Sequence, residues 1–289
     1  MVAAAMILFS CSSEMKEEEE EVENEVLVPV TVCVSGFTIE QHAATRATAI
    51  GDYANLKALT LAFYKADDGT EQYKSTQFKG SMGAGQTFGQ FSTSLPMGSY
   101  KMVVLGSTAT DAANHISITS VNSAGYSNTV RETFVATEDV TINTNSPLNL
   151  SATLSRVIAA VMLVSTDGRP ADVKSIRMRF GAGGKTIDPT TGLATSNEGF
   201  SYTMVTNSAV GNASNITNAL FLASDEQTMD ITIETLDATD NVLFSKVVKN
   251  VPLKRNRKTT LTGAMYSASA LASSFTLNTT WLDGNGVSF

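Results

Sequence analysis

The chain has 289 residues, 43% of them hydrophobic, and a formal net charge of −8, which is enough for one large domain or two ordinary ones with buried cores. The charge is local: residues 11–25 hold eight glutamates and one lysine, leaving 20 acidic against 19 basic residues elsewhere, so the body has no field to hold a nucleic acid backbone. The one leader-like apolar run, residues 1–9, is about half of what a membrane-spanning helix needs.

Residues 1–10 are apolar and uncharged and read as a signal peptide ending in Leu8-Phe9-Ser10-Cys11. That motif is similar to a lipobox, in which the leader is cut before the cysteine and its thiol takes a diacylglycerol. Lipidation at Cys11 would hold the protein in a membrane through its fatty acyl (palmitate) chains, each buried CH₂ contributing about 0.8 kcal/mol. Residues 11–25 then form an acidic tether, self-repelling and extended. An acidic segment after a lipidated cysteine also resembles the export signal of lipoproteins on the outer face of an outer membrane.

The body begins with Val26-Leu27-Val28-Pro29-Val30-Thr31-Val32-Cys33-Val34, the strongest strand signal in the chain. Val26, Val28, Val30, Val32 and Val34 share one face of it. Pro29 lacks an N–H, so the strand should start near it or lie at a sheet edge. Cys33 reads as a buried thiol, and no disulfide is expected. Residues 38–52, centred on Ala-Thr-Arg-Ala-Thr-Ala, have little to pack and read as an exposed loop. Strands follow at 56–64, 91–95, 100–105, 133–135 and 140–142, with a turn at 66–70, a polar loop or short helix at 107–130 and a turn-rich stretch at 143–150. The domain boundary is placed there, giving domains at 26–150 and 151–289.

The second half opens with the stretch 154–164, followed by a turn at 166–170. Strands are expected at 173–180, 219–222, 229–236, 242–248, 258–263 and 275–281, with 237–241 as a hairpin loop. Each half therefore carries about seven strands. The expected fold is all-β: two tandem Greek-key sandwiches.

The inventory argues against an enzyme and calls for no cofactor or metal. His42 and His115 sit in polar, loop-like stretches and read as surface residues. Gly181-Ala182-Gly183-Gly184-Lys185-Thr186 imitates a phosphate loop, but Arg179 stands where the motif needs its first glycine, and Pro189 blocks the helix that would follow. Asp67-Asp68 and Asp225-Glu226 read as solvated turn caps. Lys254-Arg255-Asn256-Arg257-Lys258 reads as a solvated turn, with a glycan, lipid or neighbouring subunit as the alternative contact.

Three features together resemble the fimbrillin family, the type V pilins of Bacteroidales-type bacteria. They are the lipobox, acidic tail and Val-rich strand followed by Thr45-Arg46-Ala47; the mid-chain Leu154-Ser155-Arg156-Val157-Ile158-Ala159-Ala160-Val161; and Arg255-Asn256-Arg257-Lys258-Thr259-Thr260-Leu261-Thr262-Gly263, which is followed by a last strand with Trp281. The resemblance implies that both sandwiches are transthyretin-like. It also implies a surface lipoprotein cut between Arg46 and Ala47 by an arginine-specific protease. The cut would remove the first strand and bare a groove for a neighbour's strand. Phe275, Leu277, Thr279 and Trp281 are the candidate donor, sharing one strand face. Implied partners are other fimbrial subunits, the outer membrane through the lipid, and a host or bacterial surface ligand. The alternative is a monomeric surface lipoprotein that binds glycans.

Overall fold

The computed structural model describes residues 26–38, 48–49, 54–266 and 276–281. The first ten strands are β1 (Leu27–Thr38), β2 (Thr48–Ala49), β3 (Ala58–Lys65), β4 (Glu71–Phe78), β5 (Gln90–Pro96), β6 (Gly98–Ser107), β7 (Ser117–Ser120), β8 (Ser123–Gly125), β9 (Thr133–Ile142) and β10 (Leu148–Arg156). The remainder are β11 (Ala159–Ser165), β12 (Ser175–Phe180), β13 (Thr186–Asp188), β14 (Leu193–Ala194), β15 (Phe200–Val205), β16 (Asn215–Leu220), β17 (Glu226–Leu236), β18 (Val242–Lys254), β19 (Arg257–Gly263) and β20 (Thr276–Trp281). The described helical turns, Lys79–Ser81 and Ala112–Asn114, are single 3-10 turns. No helix among the described residues is long and apolar enough to cross a membrane.

The strands form two sets with one pairing scheme. In the first, β1 pairs antiparallel with β5 and parallel with β10, facing a layer ordered β4-β3-β6-β9. In the second, β11 pairs antiparallel with β16 and parallel with β19, facing a layer ordered β15-β12-β17-β18. Seven strands match one to one in chain order, β1 with β11 through to β10 with β19. The chain is thus all-β, with the two tandem Greek-key sandwiches expected. β20 has no counterpart in the first set and extends the second by pairing antiparallel with β19.

Alternation explains which faces are covered. Leu59, Leu61 and Phe63 of β3 point into the first core, and Ala62 and Tyr64 into the second. Both faces are covered, which is why the run reads as continuously apolar. The second core is continuous with the outer face of β3 and β6. A small sheet ordered β14-β13-β8-β7 joins the sets, and the backbone N–H of Val130 donates to the Tyr202 hydroxyl at 2.6 Å. The residue-150 boundary falls inside β10, whose residues through Arg156 pair in the first set. The 154–164 stretch breaks at Val157 and Ile158, where the chain changes layers.

Gly183 explains the phosphate-loop imitation. It has φ +77°, and a Cβ there would lie 2.8 Å from the Phe221 carbonyl. The glycine serves close packing of a loop on β16. Asn218, fully buried on β16, gives its Nδ2 to the sulfur of Met178 at 3.0 Å, while its Oδ1 has no hydrogen-bond partner. A buried acceptor without a donor is costly. Asn218→Leu should therefore stabilise the protein by about 1–2 kcal/mol in urea unfolding, and a loss of stability would contradict this account.

The first strand and its slot

β1 does not lie at an edge. Over Val30–Cys33 it has β10 on one side and β5 on the other. The amide of Val34 donates to the Gly89 carbonyl at 2.8 Å, so even-numbered residues of β1 direct their backbone groups toward β5 and odd-numbered ones toward β10. The missing N–H of Pro29 therefore faces β10, one residue before that ladder begins at Val30. Proline marks the start of a ladder here, which is the other position open to it.

Alternation sets the side chains. Val28, Val30, Val32 and Val34 are at most 4% exposed and pack on Phe91, Leu95, Ala152 and Leu154. Val26, expected on the same face, is 48% exposed because it precedes the paired region. Burial of four valines contributes about 6–12 kcal/mol at 1.5–3 kcal/mol each. Cys33 falls on the opposite face and is exposed, which corrects the expectation of a buried thiol. Withdrawing β1 would leave an apolar slot flanked by unpaired backbone groups of both β5 and β10.

At the other end of the chain, β20 lies along β19, with Thr276 opposite Thr262 and Trp281 opposite Arg257. Leu277 and Thr279 are within it, whereas Phe275 lies outside the described residues, as do Cys11, Arg46 and Ala47. Just upstream, the Asp167 carboxylate accepts from the amides of Met265 and Tyr266, both at 2.8 Å.

Between the two sets sits a buried ion pair. Arg156 and Glu132, each 1% exposed, meet at 2.6 Å. The guanidinium carbon lies 5.3 Å from the Phe134 ring centre, and Nη1 donates to Asn256 Oδ1 at 3.3 Å. Asn256 itself, at φ +61°, turns β18 into β19, and its amide donates to the Ile158 carbonyl at 2.6 Å. The basic cluster is therefore occupied within the molecule. Lys254 pairs with Glu226, and Arg255 pairs with Asp225 at 2.6 Å and donates to the Thr191 carbonyl at 2.8 Å. The turn between two strands is as expected and Asp225 and Glu226 are exposed, and the structure adds that the four side chains pair with one another.

His115 is also corrected: it is buried, with Nε2 2.8 Å from Thr60 Oγ1 and Nδ1 2.7 Å from Ser107 Oγ. The 3-10 turn before it, capped by Asp111, tips the ring inward against Phe78. Burial depresses its pKa from 6.5 to about 4. The unfolded chain takes up this proton first as pH falls, so the contribution is intact above pH 6.5 and is lost between 6.5 and 4. The loss should amount to about 3 kcal/mol. Unfolding free energy measured across that window should show the decline, and His115→Gln should remove most of it.

The sequence profile of a family described as "Family of unknown function (DUF6562)" matches residues 19–277. No curated protein matches in sequence. Several solved structures share the fold. A candidate adhesin from Bacteroides ovatus is 11% identical, with 92% of this chain and 96% of that one covered at a TM-score of 0.52. A candidate polysaccharide-binding protein from Bacteroides thetaiotaomicron is 9% identical, with 90% and 100% covered at 0.51. The fimbrial anchor protein Mfa2 from Porphyromonas gingivalis is 11% identical, with 82% and 90% covered at 0.50.

Proposed function

This chain belongs to DUF6562, a family of unknown function, and from its architecture we propose that it is a subunit of a cell-surface fimbria with a structural and adhesive role rather than a catalytic one. In this reading the fimbria is of type V, as the fimbrillin resemblance implies. The chain is exported as a lipoprotein acylated at Cys11, with 1–10 as signal peptide and 11–25 as tether, and is held at the outer membrane. Its two sandwiches are separate domains that meet at Val157 and Ile158. Cleavage between Arg46 and Ala47 frees the first strand, and another subunit's segment around Phe275–Trp281 fills the slot.

The observation that carries the reading is the position of β1. It is the first described strand, it precedes Arg46 in the sequence, and its valines fill the space between β5 and β10. A strand there can be replaced only by another strand, because both neighbouring ladders and an apolar floor demand one. Fold likeness to a fimbrial anchor protein and a candidate adhesin supports the same role. Glycan binding as a monomer would call for an exposed aromatic platform. Among the described residues, Tyr64, Tyr100, Tyr126, Tyr202 and Tyr266 are at most 7% exposed and Tyr73 is half-buried.

The test uses the full chain with Cys33 labelled by a fluorescent maleimide. Arg-specific proteolysis should cut after Arg46, release the label from the folded body and yield ladders of multimers on a non-dissociating gel. A chain that is cut at Arg46 yet keeps its label and stays monomeric would sink the exchange mechanism.

A further inference from the structure

Five strand pairings recur in both sets, whereas β1–β2 and β9–β10 occur only in the first and β19–β20 only in the second. On β19, the edge away from β11 is covered by β20, which also approaches β18. The counterpart of β19 is β10, and its edge away from β1 meets β9 only at Ser155 and Arg156. Over Leu148–Thr153 no described strand lies beyond it.

The backbone of that edge points outward in a definite pattern. The Ala152 carbonyl accepts from Ser35 Oγ on β1 at 3.4 Å, and the Val157 amide donates to the Thr133 carbonyl on β9 at 3.1 Å. Even residues of β10 therefore address β1 and odd ones face away. Asn149, Ser151 and Thr153 are exposed, and among the described residues their outward amides and carbonyls have no strand partner. At the Thr153 end of this edge β9 and β10 diverge around a cleft of about 330 Å³ that is closed on a third side by the 189–192 loop, whose Pro189 carbonyl accepts from Thr137 Oγ1 at 3.0 Å.

We propose that this edge of β10 is a second strand-receiving site, and that its occupant is the β20 segment of a second copy of the chain, added antiparallel along Leu148–Thr153 with β1 still in place. The choice of a second copy rests on the assembly reading; the vacancy rests on the internal match alone. The chain already carries a strand that fits against β19, and β10 is the counterpart of β19, with a parallel-paired neighbour on one edge and no described strand over Leu148–Thr153 on the other. Unlike strand replacement, this addition requires no proteolysis. It gives uncut subunits a way to associate at the surface.

The experiment is a titration of uncut, full-length protein with a labelled synthetic peptide of residues 274–283, read by fluorescence anisotropy and by amide hydrogen exchange. Saturable binding is expected, with exchange at Ser151 and Thr153 slowed at least tenfold. Ser151→Pro removes an outward amide that β1 does not use and should weaken binding at least tenfold, whereas Ser151→Ala should bind like the parent. Should the proline variant fail to fold, the exchange footprint on the parent decides alone. No binding to folded protein, or a footprint on β19 instead, would overturn the proposal. So would protection of Ser151 and Thr153 already present in dilute protein, because the chain would then cover this edge itself. Binding that appears only after cleavage at Arg46 and protects β5 would sustain strand replacement while overturning the second site.

Discussion

Arg156→Met should lower the unfolding free energy by about 3–5 kcal/mol, and the double variant Arg156→Met with Glu132→Leu should recover most of that loss. Both side chains are 1% exposed, so removing one leaves the other charged, desolvated and without its partner, whereas removing both eliminates the desolvation cost as well. The arginine also stacks on Phe134 and reaches Asn256, so methionine forfeits some packing even in the double variant. Urea unfolding of the two singles and the double forms a cycle. A coupling below about 1 kcal/mol would mean that the pair is not what ties the β18–β19 turn to the first sandwich.

The second large effect is expected within β1. Val32 is fully buried between β5 and β10, and Val32→Asp would put a carboxylate beside its cross-strand neighbours Phe91 and Leu150. A cost of about 4 kcal/mol or more follows. Thr31→Asp, one residue away on the outward face, should cost less than about 1 kcal/mol. The chain has a local way to relieve the first substitution, which is to expel β1. Trypsin sensitivity at Arg46 should therefore rise in Val32→Asp while the second sandwich keeps its native hydrogen-exchange protection. Simultaneous loss of both sandwiches would instead show that β1 is integral to a single cooperative unit.

The alternation in 26–34 and the continuous apolar run at 58–64 made the strands legible from sequence, because burial of one or both faces leaves a direct imprint on residue order. Partners distant in sequence left no such imprint. Lys254 and Arg255 look like a free basic patch until β17 brings Glu226 and Asp225 beside them. His115 sits among polar neighbours, and only tertiary contact supplies the hydroxyls of Thr60 and Ser107. Pro29 narrowed β1 to a ladder start or an edge, and nothing local separates those two. The break at Val157 was hidden because Val157 and Ile158 are as apolar as β11 that follows them, so the connector reads as part of that strand. Of the residues expected to act in assembly, the valines of β1 could be judged against burial, whereas Arg46 and Ala47, expected at a maturation cut, and Cys11, expected to be acylated, lie outside the described residues.

The link between β10 and β11 is only Val157 and Ile158, and on either side of it the chain runs parallel to a neighbour: β10 along β1, β11 along β19. Tension applied along the molecule would load these pairs in shear, so that a whole row of hydrogen bonds must yield at once instead of opening one after another from an end. A two-residue connector holds almost no slack to pay out before that happens. A tether built this way would resist being stretched by flow across the cell surface, and in single-molecule pulling it should give way in two abrupt steps, one for each sandwich.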